Sequence, residues 1–308
     1  MKYYKSLCFI LLIASLLSGY GCSSSSPERQ VLDMNTNWAF YRGDVEEGYK
    51  TDLDDSGWMP AVIPHIMQLE TKHCGGNSIY DGIGWYRRYF KLPAEYKGKR
   101  IAVSFEGVMT NCDVYLNEEK ITTHHGGYMG FVADLTDRIN WDGNNILAVR
   151  VSAEYDPLTP PGKPQDKMDF YYYSGIYRDV SMVITDKVYI TDPLQEDIIA
   201  GGGQFVTFPE VTKERAKTHL STHIRNLTDE YKDLTVLSRL RDTTGHVVAQ
   251  TETPVRLLNQ SDETVEQDLV IDSPTLWHPY TPYLYTLQTQ LLSGDRVLDE
   301  TNKKIGIR

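Results

Sequence analysis

The chain has 308 residues, of which 41% are hydrophobic and 11% aromatic, and its formal net charge is −11. A strongly acidic surface repels phosphate backbones, which argues against nucleic acid as a partner. This length favours two domains of ordinary size.

The first predicted element is a signal peptide over residues 1–21. Lys2 and Lys5 precede an apolar run from Leu7 to Leu17, and small residues follow it. The run is shorter than the about 20 apolar residues that span a bilayer, so it predicts export and not a transmembrane anchor. Its removal deletes two lysines and no acidic residue, which leaves 29 basic and 42 acidic residues and a net charge of −13.

Cys22 stands at the predicted cleavage point and is followed by four serines and Pro27. This segment resembles the cleavage site of a bacterial lipoprotein, with residues 22–30 as the tether, and lipidation of Cys22 would attach the exported protein to a membrane of the cell envelope. Ordinary signal cleavage is the alternative, because Gly19 stands where lipoproteins usually have Leu, and the protein would then be periplasmic.

Besides Cys22, the mature chain keeps Cys74 and Cys112. Neither lies in a Cys-x-x-Cys pair or at a histidine spacing suited to zinc. In an oxidising compartment the two can form one disulfide, and two buried thiols are the alternative.

Short runs of β-branched and aromatic residues, separated by Gly, Pro, Asn and Asp, predict an all-β protein without sustained helices. From 31 to 186 their spacing and turn chemistry predict a jelly-roll sandwich. Its predicted strands cover residues 85–91, 100–105, 113–116, 145–151 and 178–185.

Residues 187–308 predict an immunoglobulin-like sandwich, because short strands alternate with hairpin turns. The turns are predicted at 242–245 and 293–295, and the strands at 234–240, 246–250, 265–271, 283–292 and 296–299. No long Gly/Ser linker separates the two halves, so the two sandwiches are predicted to pack against each other.

Three motifs in the first half are more specific than composition. The first is DDSGW at 54–58 with PH at 64–65, and the second is FEGV at 105–108 with VYLN at 114–117 and HGGY at 125–128. The third is DFYYYSGIYRDV at 169–180. In this order they resemble the sugar-binding domain of family 2 glycoside hydrolases, which include β-galactosidases, β-glucuronidases and β-mannosidases.

The second half continues the resemblance. PTLWHP at 274–279, PYLY at 282–285 and Gly306-Ile307-Arg308 are similar to the end of the family's immunoglobulin-like domain. Members of the family continue past the Gly-Ile-Arg segment into a (β/α)₈ barrel that carries both catalytic glutamates. The resemblance therefore implies that the barrel is absent here and that this chain alone is inactive.

The acidic pairs of the chain do not predict a catalytic site. Retaining hydrolysis needs two carboxyl groups about 5 to 5.5 Å apart, with pKa values pushed apart by their environment. Glu46-Glu47, Asp54-Asp55 and Glu118-Glu119 lie in polar loops without an apolar setting. No residue of the chain is predicted to be catalytic.

The resemblance implies that Asp169 contacts the sugar. It opens the Asp-x-x-x-x-Ser-Gly-Ile stretch, whose Asp helps some family β-galactosidases to hold substrate through a bound sodium ion; capping a loop is the alternative. Asp81 stands where some of these enzymes place a substrate-contacting Asn, so that match is one of position. The chain alone requires no cofactor, although a bound cation fits a full-length enzyme.

The aromatic run from Phe170 to Tyr173 can stack on a sugar ring, with Tyr171 and Tyr173 as substrate-binding residues. Packing against neighbouring β-structure is the alternative for these side chains.

The remaining motif residues are predicted to be structural. Arg178 and Asp179 form a charge pair, the core contains Trp58, Phe105 and Trp277, His65 is a hydrogen-bonded structural histidine, and His124-His125 belong to a turn and not to a metal site.

The leading interpretation is the amino-terminal part of an exported, β-galactosidase-like family 2 glycosidase. Its partners would be the missing barrel and a β-linked oligosaccharide or glycoconjugate. The alternatives are a free-standing, membrane-tethered carbohydrate-binding module without enzymatic activity, and a scaffold that packs on another subunit.

Overall fold

The computed structural model describes residues 29–68, 80–168, 170–196 and 198–308. Strands make up 52% of the residues and helices 5%, which confirms the all-β prediction. In the described ranges the one α-helix, α1, is the single turn Pro193–Glu196. None of the helices there has the length and apolar composition to cross a membrane.

The first sandwich consists of two antiparallel sheets. The four-stranded sheet has the order β1 (Gln30–Asp33), β12 (Val180–Thr185), β5 (Arg100–Phe105) and β9 (Phe131–Asp134). The six-stranded sheet has the order β3 (Met59–Ala61), β2 (Trp38–Arg42), β4 (Ile83–Phe90), β10 (Asn145–Ser152), β7 (Asn111–Leu116) and β8 (Glu119–His125). A short ribbon pairs β6 (Val108–Met109) with β11 (Gly175–Ile176).

Alternating side chains of these strands build the first core, because successive residues of a strand point to opposite faces of the sheet. In β7, Cys112, Val114 and Leu116 are buried and face the four-stranded sheet, whereas the residues between them are partly exposed. Cys112 has a free thiol, and burial raises its pKa, so this thiol stays protonated. Cys74 lies outside the described residues.

The second sandwich also has two antiparallel sheets. In one, β15 (Arg215–Asn226) pairs with β18 (Ser261–Asp272) on one side and with β13 (Val188–Ile190) and β14 (Gln204–Val211) on the other. The second sheet has the order β17 (Val247–Leu257), β16 (Lys232–Arg241), β19 (Tyr285–Ser293) and β20 (Arg296–Ile305). The protein is therefore a jelly-roll sandwich followed by an immunoglobulin-like sandwich, as predicted.

Both predicted hairpin turns are present. At 242–245 the amide of Gly245 donates to the Asp242 carbonyl. Gly245 has a φ of +91°, a backbone conformation that residues with a side chain rarely adopt. At 293–295 the turn between β19 and β20 contains Gly294, whose φ is +59°. The glycines that the sequence places at these points have the backbone conformation that the turns require.

The two sandwiches meet across a connection of two residues, 186 and 187. Arg29 makes a two-pronged ion pair with the fully buried Asp299, at 2.9 Å from Nε and 2.7 Å from Nη2. Asp299 also accepts the backbone N–H of Ile190 at 2.7 Å. On the first sandwich, the guanidinium of Arg100 lies 4.6 Å from the ring centre of Tyr189. Side chains of both sandwiches therefore hold the junction together.

Candidate functional site

The three motifs of the first half converge at one end of the first sandwich. The amides of His65 and Met67 donate to the carbonyls of Ile176 and Ser174, both at 2.8 Å, which joins the first motif to the third. The β6–β11 ribbon then joins the second motif to the third. Gly175 has a φ of +133°, and a Cβ there would lie 2.6 Å from the His65 carbonyl oxygen. Only glycine allows this approach of the two chains.

His65 is a hydrogen-bonded, partly buried residue that packs in this region. Its Nδ1 lies 2.9 Å from the hydroxyl of Tyr86, and its ring packs 4.7 Å from the ring of Phe40. Burial lowers the pKa of His65, so the imidazole is neutral in the folded protein. Burial also raises the pKa of the Tyr86 hydroxyl. A neutral imidazole that is hydrogen-bonded to a buried phenol supports packing and not proton transfer.

Tyrosines of the third motif interact with the loop of the second motif. The hydroxyl of Tyr177 donates to the Gly127 carbonyl at 2.6 Å and thereby fixes the loop that contains Tyr128. Burial raises the pKa of Tyr172, and the nearby Asp81 carboxylate and Tyr128 add to this effect. Asp81 and Tyr128 therefore each lie within electrostatic range of Tyr172, although they are far from it in the sequence.

Tyr172 borders a small cleft, here called the aromatic cleft, whose other lining residues are Met67, Gln68, Tyr80, Tyr171, Tyr173 and Ser174. The ring centres of Tyr171 and Tyr173 are 6.3 Å apart, and Tyr173 is 37% exposed. Asp81 is exposed beside Tyr80. Exposed phenol rings offer apolar faces and hydroxyl groups, and an exposed carboxylate accepts hydrogen bonds, which is the chemistry that a sugar requires.

The structure brings three of the four predicted sugar-contacting residues to this region. Tyr171 and Tyr173 line the aromatic cleft, and Asp81 is next to Tyr80 and Tyr172. Asp169, the fourth, lies outside the described residues, as does Cys22. Sequence reasoning did not include Met67 and Gln68, because they follow the first motif and reach the cleft only through the pairing of residues 65–67 with 174–176.

The first motif stabilises the fold in a way that the sequence did not reveal. Arg87 is fully buried, and its guanidinium donates to the Asp55 carboxylate at 2.7 Å and to the Gly48 and Lys50 carbonyls at 2.7 and 2.8 Å. Trp58 covers the guanidinium at 5.8 Å. The motif therefore supplies the counter-charge and the cover of a buried arginine.

Two of the three predicted core residues lie outside the buried core. Phe105 is fully buried, whereas Trp58 and Trp277 are half-buried. The two tryptophans cover guanidinium groups, those of Arg87 and Arg308, and such cation–π contacts keep one ring edge close to water. The expectation that both tryptophans belong to the core was wrong.

Arg178 and Asp179 do not form the predicted charge pair in the described structure, since adjacent residues of an extended chain point to opposite sides. The Arg178 guanidinium lies 5.7 Å from the ring centre of Tyr177, and the Asp179 carboxylate accepts from the Asn35 side chain at 3.3 Å. The two histidines at the end of β8, His124 and His125, contact other side chains of the first sandwich. The His124 ring stacks on Phe131 at 4.3 Å, and His125 Nδ1 lies 3.2 Å from Asn111 Oδ1.

A group of metal-binding residue types lies near the junction of the sandwiches. Ligand atoms of Glu196, His223 and Asp262 all lie within 4.8 Å of one another. The guanidinium of Arg225 already bridges the two carboxylates, at 2.6 Å from Glu196 and 3.1 Å from Asp262. Burial would raise the pKa of Asp262, but Arg225 and His223 outweigh it and lower the pKa. This group is an ion-pair network whose cation is an arginine.

Comparison with known proteins identifies both halves. Residues 74–186 match the model of the glycosyl hydrolases family 2 sugar binding domain, and residues 204–308 match the glycosyl hydrolases family 2 model that follows. The chain is 31% identical over 296 residues to the β-galactosidase BoGH2A of Bacteroides ovatus, covering 93% of this chain and 33% of the relative. It is 30% identical over 283 residues to a β-galactosidase of Thermoanaerobacter pseudethanolicus, covering 91% and 35%.

Solved structures agree with this assignment. A family 2 member from Bacteroides cellulosilyticus has a TM-score of 0.78 at 33% identity, covering 92% of this chain and 36% of its own. A β-glucuronidase of family 2 has a TM-score of 0.81 at 26% identity, covering 92% and 31%. The chain spans about a third of the length of the curated relatives that it matches. Because both of its halves match models of one family, the chain belongs to glycosyl hydrolase family 2.

Proposed function

We propose that this chain supplies the sugar-binding and supporting domains of an exported, β-galactosidase-like glycosidase that hydrolyses O-glycosyl bonds. Its substrate is a β-linked oligosaccharide or glycoconjugate. Two of the relatives are β-galactosidases, which supports a galactoside, and the sugar binding domain of the family supports the contact with substrate. The observation that carries the proposal is the clustering of Tyr80, Tyr171, Tyr172 and Tyr173 along the aromatic cleft, with the exposed Asp81 directly after Tyr80 in the chain.

The bond-breaking carboxyl groups are proposed to come from the barrel that family members carry. A retaining glycosidase needs one carboxyl group that is protonated and one that is ionised. Where two carboxylates approach each other in the described second sandwich, at Glu196 and Asp262, Arg225 bridges them and lowers the pKa of Asp262. Such a pair has no proton to donate to a leaving group.

Each residue at the aromatic cleft has a proposed role. Tyr171 and Tyr173 stack against the apolar face of a sugar ring, and Asp81 accepts hydrogen bonds from ring hydroxyls. Asp169 is proposed to join them as a further acceptor, with sodium as a cation in the full-length enzyme. These contacts hold and orient the substrate, which lowers the entropic cost of reaching the transition state.

The proposal is tested by binding and by turnover. Saturation-transfer NMR with methyl β-galactoside should show binding to the chain that Tyr173→Ala and Asp81→Ala each reduce, while Tyr280→Ala, at a side chain that is 90% exposed on the second sandwich, should have no effect. The chain alone should not hydrolyse aryl β-galactoside or aryl β-glucuronide. Turnover by the chain alone, or binding that is indifferent to the two cleft substitutions, would overturn the proposal.

Export and anchoring form a separate part of the proposal. The leader at 1–21 and the Cys22 segment support transfer across the inner membrane and lipidation of Cys22. Cells that are fed a labelled fatty acid should incorporate the label into the protein, and Cys22→Ser should abolish both the label and membrane association. A labelled Cys22→Ser protein would count against lipidation at this residue.

A further inference from the structure

The outer face of the six-stranded sheet has a second cleft, of about 180 Å³. It is here called the outer cleft and is lined by the side chains of Asn111, Asp113, Thr123, His125, Arg150 and Ser152. None of these residues belongs to the aromatic cleft. The outer cleft is therefore a separate feature of the first sandwich.

Strand register creates the outer cleft. In one row across β10, β7 and β8, Arg150 pairs with Asp113 and Asp113 with Thr123. In the next row Ser152 pairs with Asn111, and Asn111 with His125. Neighbouring strands lie about 4.8 Å apart, so the six side chains form a regular array on one face, while the residues between them point into the core.

Three groups of this array have unused hydrogen-bonding capacity among the described residues. Arg150 donates from Nε and Nη2 to Asp44, at 3.1 and 2.6 Å, which leaves Nη1 without a partner. Oδ1 of Asp113 accepts from Thr123 at 2.7 Å and lies 2.6 Å from the Lys120 ammonium, which leaves Oδ2 without a partner. The Nε2 atom of His125 has none either, because its contact with Asn111 uses Nδ1.

The ion pairs fix these groups in place and cancel their charges. Asp44 neutralises Arg150, and Lys120 neutralises Asp113. Glu154 and Asp156, which accept from Ser152 at 3.3 Å and from Asn111 at 3.2 Å, add negative charge beside the array and disfavour an anionic ligand. A sugar hydroxyl, which both donates and accepts, matches an array in which a guanidinium donor lies beside a carboxylate acceptor. The volume is below the roughly 300 Å³ at which pockets for drug-sized ligands begin, so a single ring is the appropriate size.

An aromatic side chain borders the array. Tyr115 lies two positions beyond Asp113 on the same face of β7, and its ring is held by stacking on Tyr49 at 4.8 Å. Burial raises the pKa of Tyr115, and the negative charge of Asp113 adds to this effect. A ring held in this way offers an apolar face beside the polar array, against which a sugar ring can stack.

We propose that the outer cleft is a second sugar-binding site, which takes one neutral pyranose residue through Arg150, Asp113 and His125. This inference does not depend on the proposed function, because it uses different residues. A ligand on Arg150 acts on a group that shares the Asp44 carboxylate with the indole of Trp85, at 3.0 Å. Binding should therefore change the fluorescence of Trp85.

The test uses the whole chain with both Asp81→Ala and Tyr173→Ala, so that the aromatic cleft is disabled. This protein should still bind methyl β-galactoside in saturation-transfer NMR and show a saturable fluorescence change that Trp85→Phe removes. Thr123→Trp, at an exposed position of the edge strand, should fill the outer cleft and abolish binding. His125→Ala should raise the Kd about 2- to 10-fold, the effect of one lost hydrogen bond. Methyl β-glucuronide should bind no more tightly than the galactoside.

Thr243→Trp, in the exposed turn of the second sandwich, is the matched control and should bind as its parent does. Binding that vanishes with Asp81→Ala and Tyr173→Ala alone would overturn the second site and leave the aromatic cleft supported. Binding that survives Thr123→Trp and His125→Ala would also overturn it. The reverse pattern, in which only the outer-cleft substitutions matter, would support the second site and count against the aromatic cleft.

Discussion

The hydroxyl of Tyr177 lies 2.6 Å from the carbonyl oxygen of Gly127 and donates a hydrogen bond to it. The ring of Tyr177 also occupies the space beside Gly107, where an added Cβ would come within 3.0 Å of the ring. One side chain of the third motif therefore contacts two glycines of the second motif. The ring of Tyr177 explains the glycine at position 107, whereas at position 127 an added Cβ would collide with the sulfur of Met109.

Tyr177→Phe removes this hydrogen bond and keeps the ring. The Gly127 carbonyl then loses its partner, so we expect the free energy of unfolding of the first sandwich to fall by about 1 kcal/mol. Urea unfolding followed by tryptophan fluorescence measures it, since Trp277 is the one tryptophan in the second sandwich. Tyr280→Phe, at a 90% exposed side chain, is the control. Equal stability of the two variants would contradict the role of Tyr177.

Asp55→Asn tests the buried arginine of the first motif. Arg87 is fully buried, and the Asp55 carboxylate is its one ion-pair partner among the described residues, at 2.7 Å. Removal of one charge from a buried pair leaves the other uncompensated, which costs about 3 kcal/mol. Asp54→Asn is the matched control, because Asp54 is exposed and only caps the Ser56 amide at 3.0 Å. Urea midpoints that shift equally for both variants would show that Asp55 has no special role.

Much of the strand pattern could be predicted from the sequence, and the failures have physical causes. β5 was predicted at its observed bounds, because four of its six residues are apolar and five of the six are buried. β15 was missed because threonines occupy the buried positions 218 and 222, so the apolar alternation is hidden. β14 was missed because Pro209 stands beside a bulge in this edge strand.

The candidate site was predictable only in part. Tyr171 and Tyr173 could be singled out because they belong to the third motif. Asp81 could be singled out because its position matches that of a substrate-contacting Asn in related enzymes. The outer cleft could not, because it depends on the register of three strands whose outward residues are ordinary polar types. The alternation of Cys112, Val114 and Leu116 with polar residues predicts which face of β7 points outward. It does not predict which residues of β10 and β8 lie opposite Asp113.

The pH dependence of stability follows from two histidines of the first sandwich. Burial lowers the pKa of His65 below its ordinary value of 6.5, and burial also lowers that of His124, against the opposing effect of the Gly126 carbonyl. Below about pH 6.5 the unfolded chain binds more protons at these two histidines than the folded chain does. Their contribution to the free energy of unfolding is therefore complete above about pH 6.5 and is lost as the pH falls through the lowered pKa values. Urea midpoints at about pH 7.5 and about pH 5.5 should show a fall, and this fall should be smaller in the His65→Gln and His124→Gln variants. A fall of unchanged size in both variants would assign it to other groups.

Arg29→Met tests whether Arg29, which lies within the predicted tether at 22–30, holds the two sandwiches together. Asp299 is fully buried, and the described structure gives it Arg29 as its cation, with the Ile190 amide as a further donor. Loss of the guanidinium leaves a buried carboxylate without a counter-charge, so we expect the free energy of unfolding of the second sandwich to fall by about 3 kcal/mol. The amide of Ile190 should then exchange its hydrogen faster.

Arg296→Met is the matched control for this prediction. Arg296 lies 3.6 Å from Asp186 across the same junction, but its side chain is 62% exposed, and ion pairs in contact with water contribute little. Hydrogen exchange at Ile190 should therefore stay at the parent rate in this variant. If both arginine variants exchanged Ile190 at the parent rate, the Arg29–Asp299 pair would have no part in joining the sandwiches, and other contacts of the junction, such as that of Arg100 with Tyr189, would have to stabilise it.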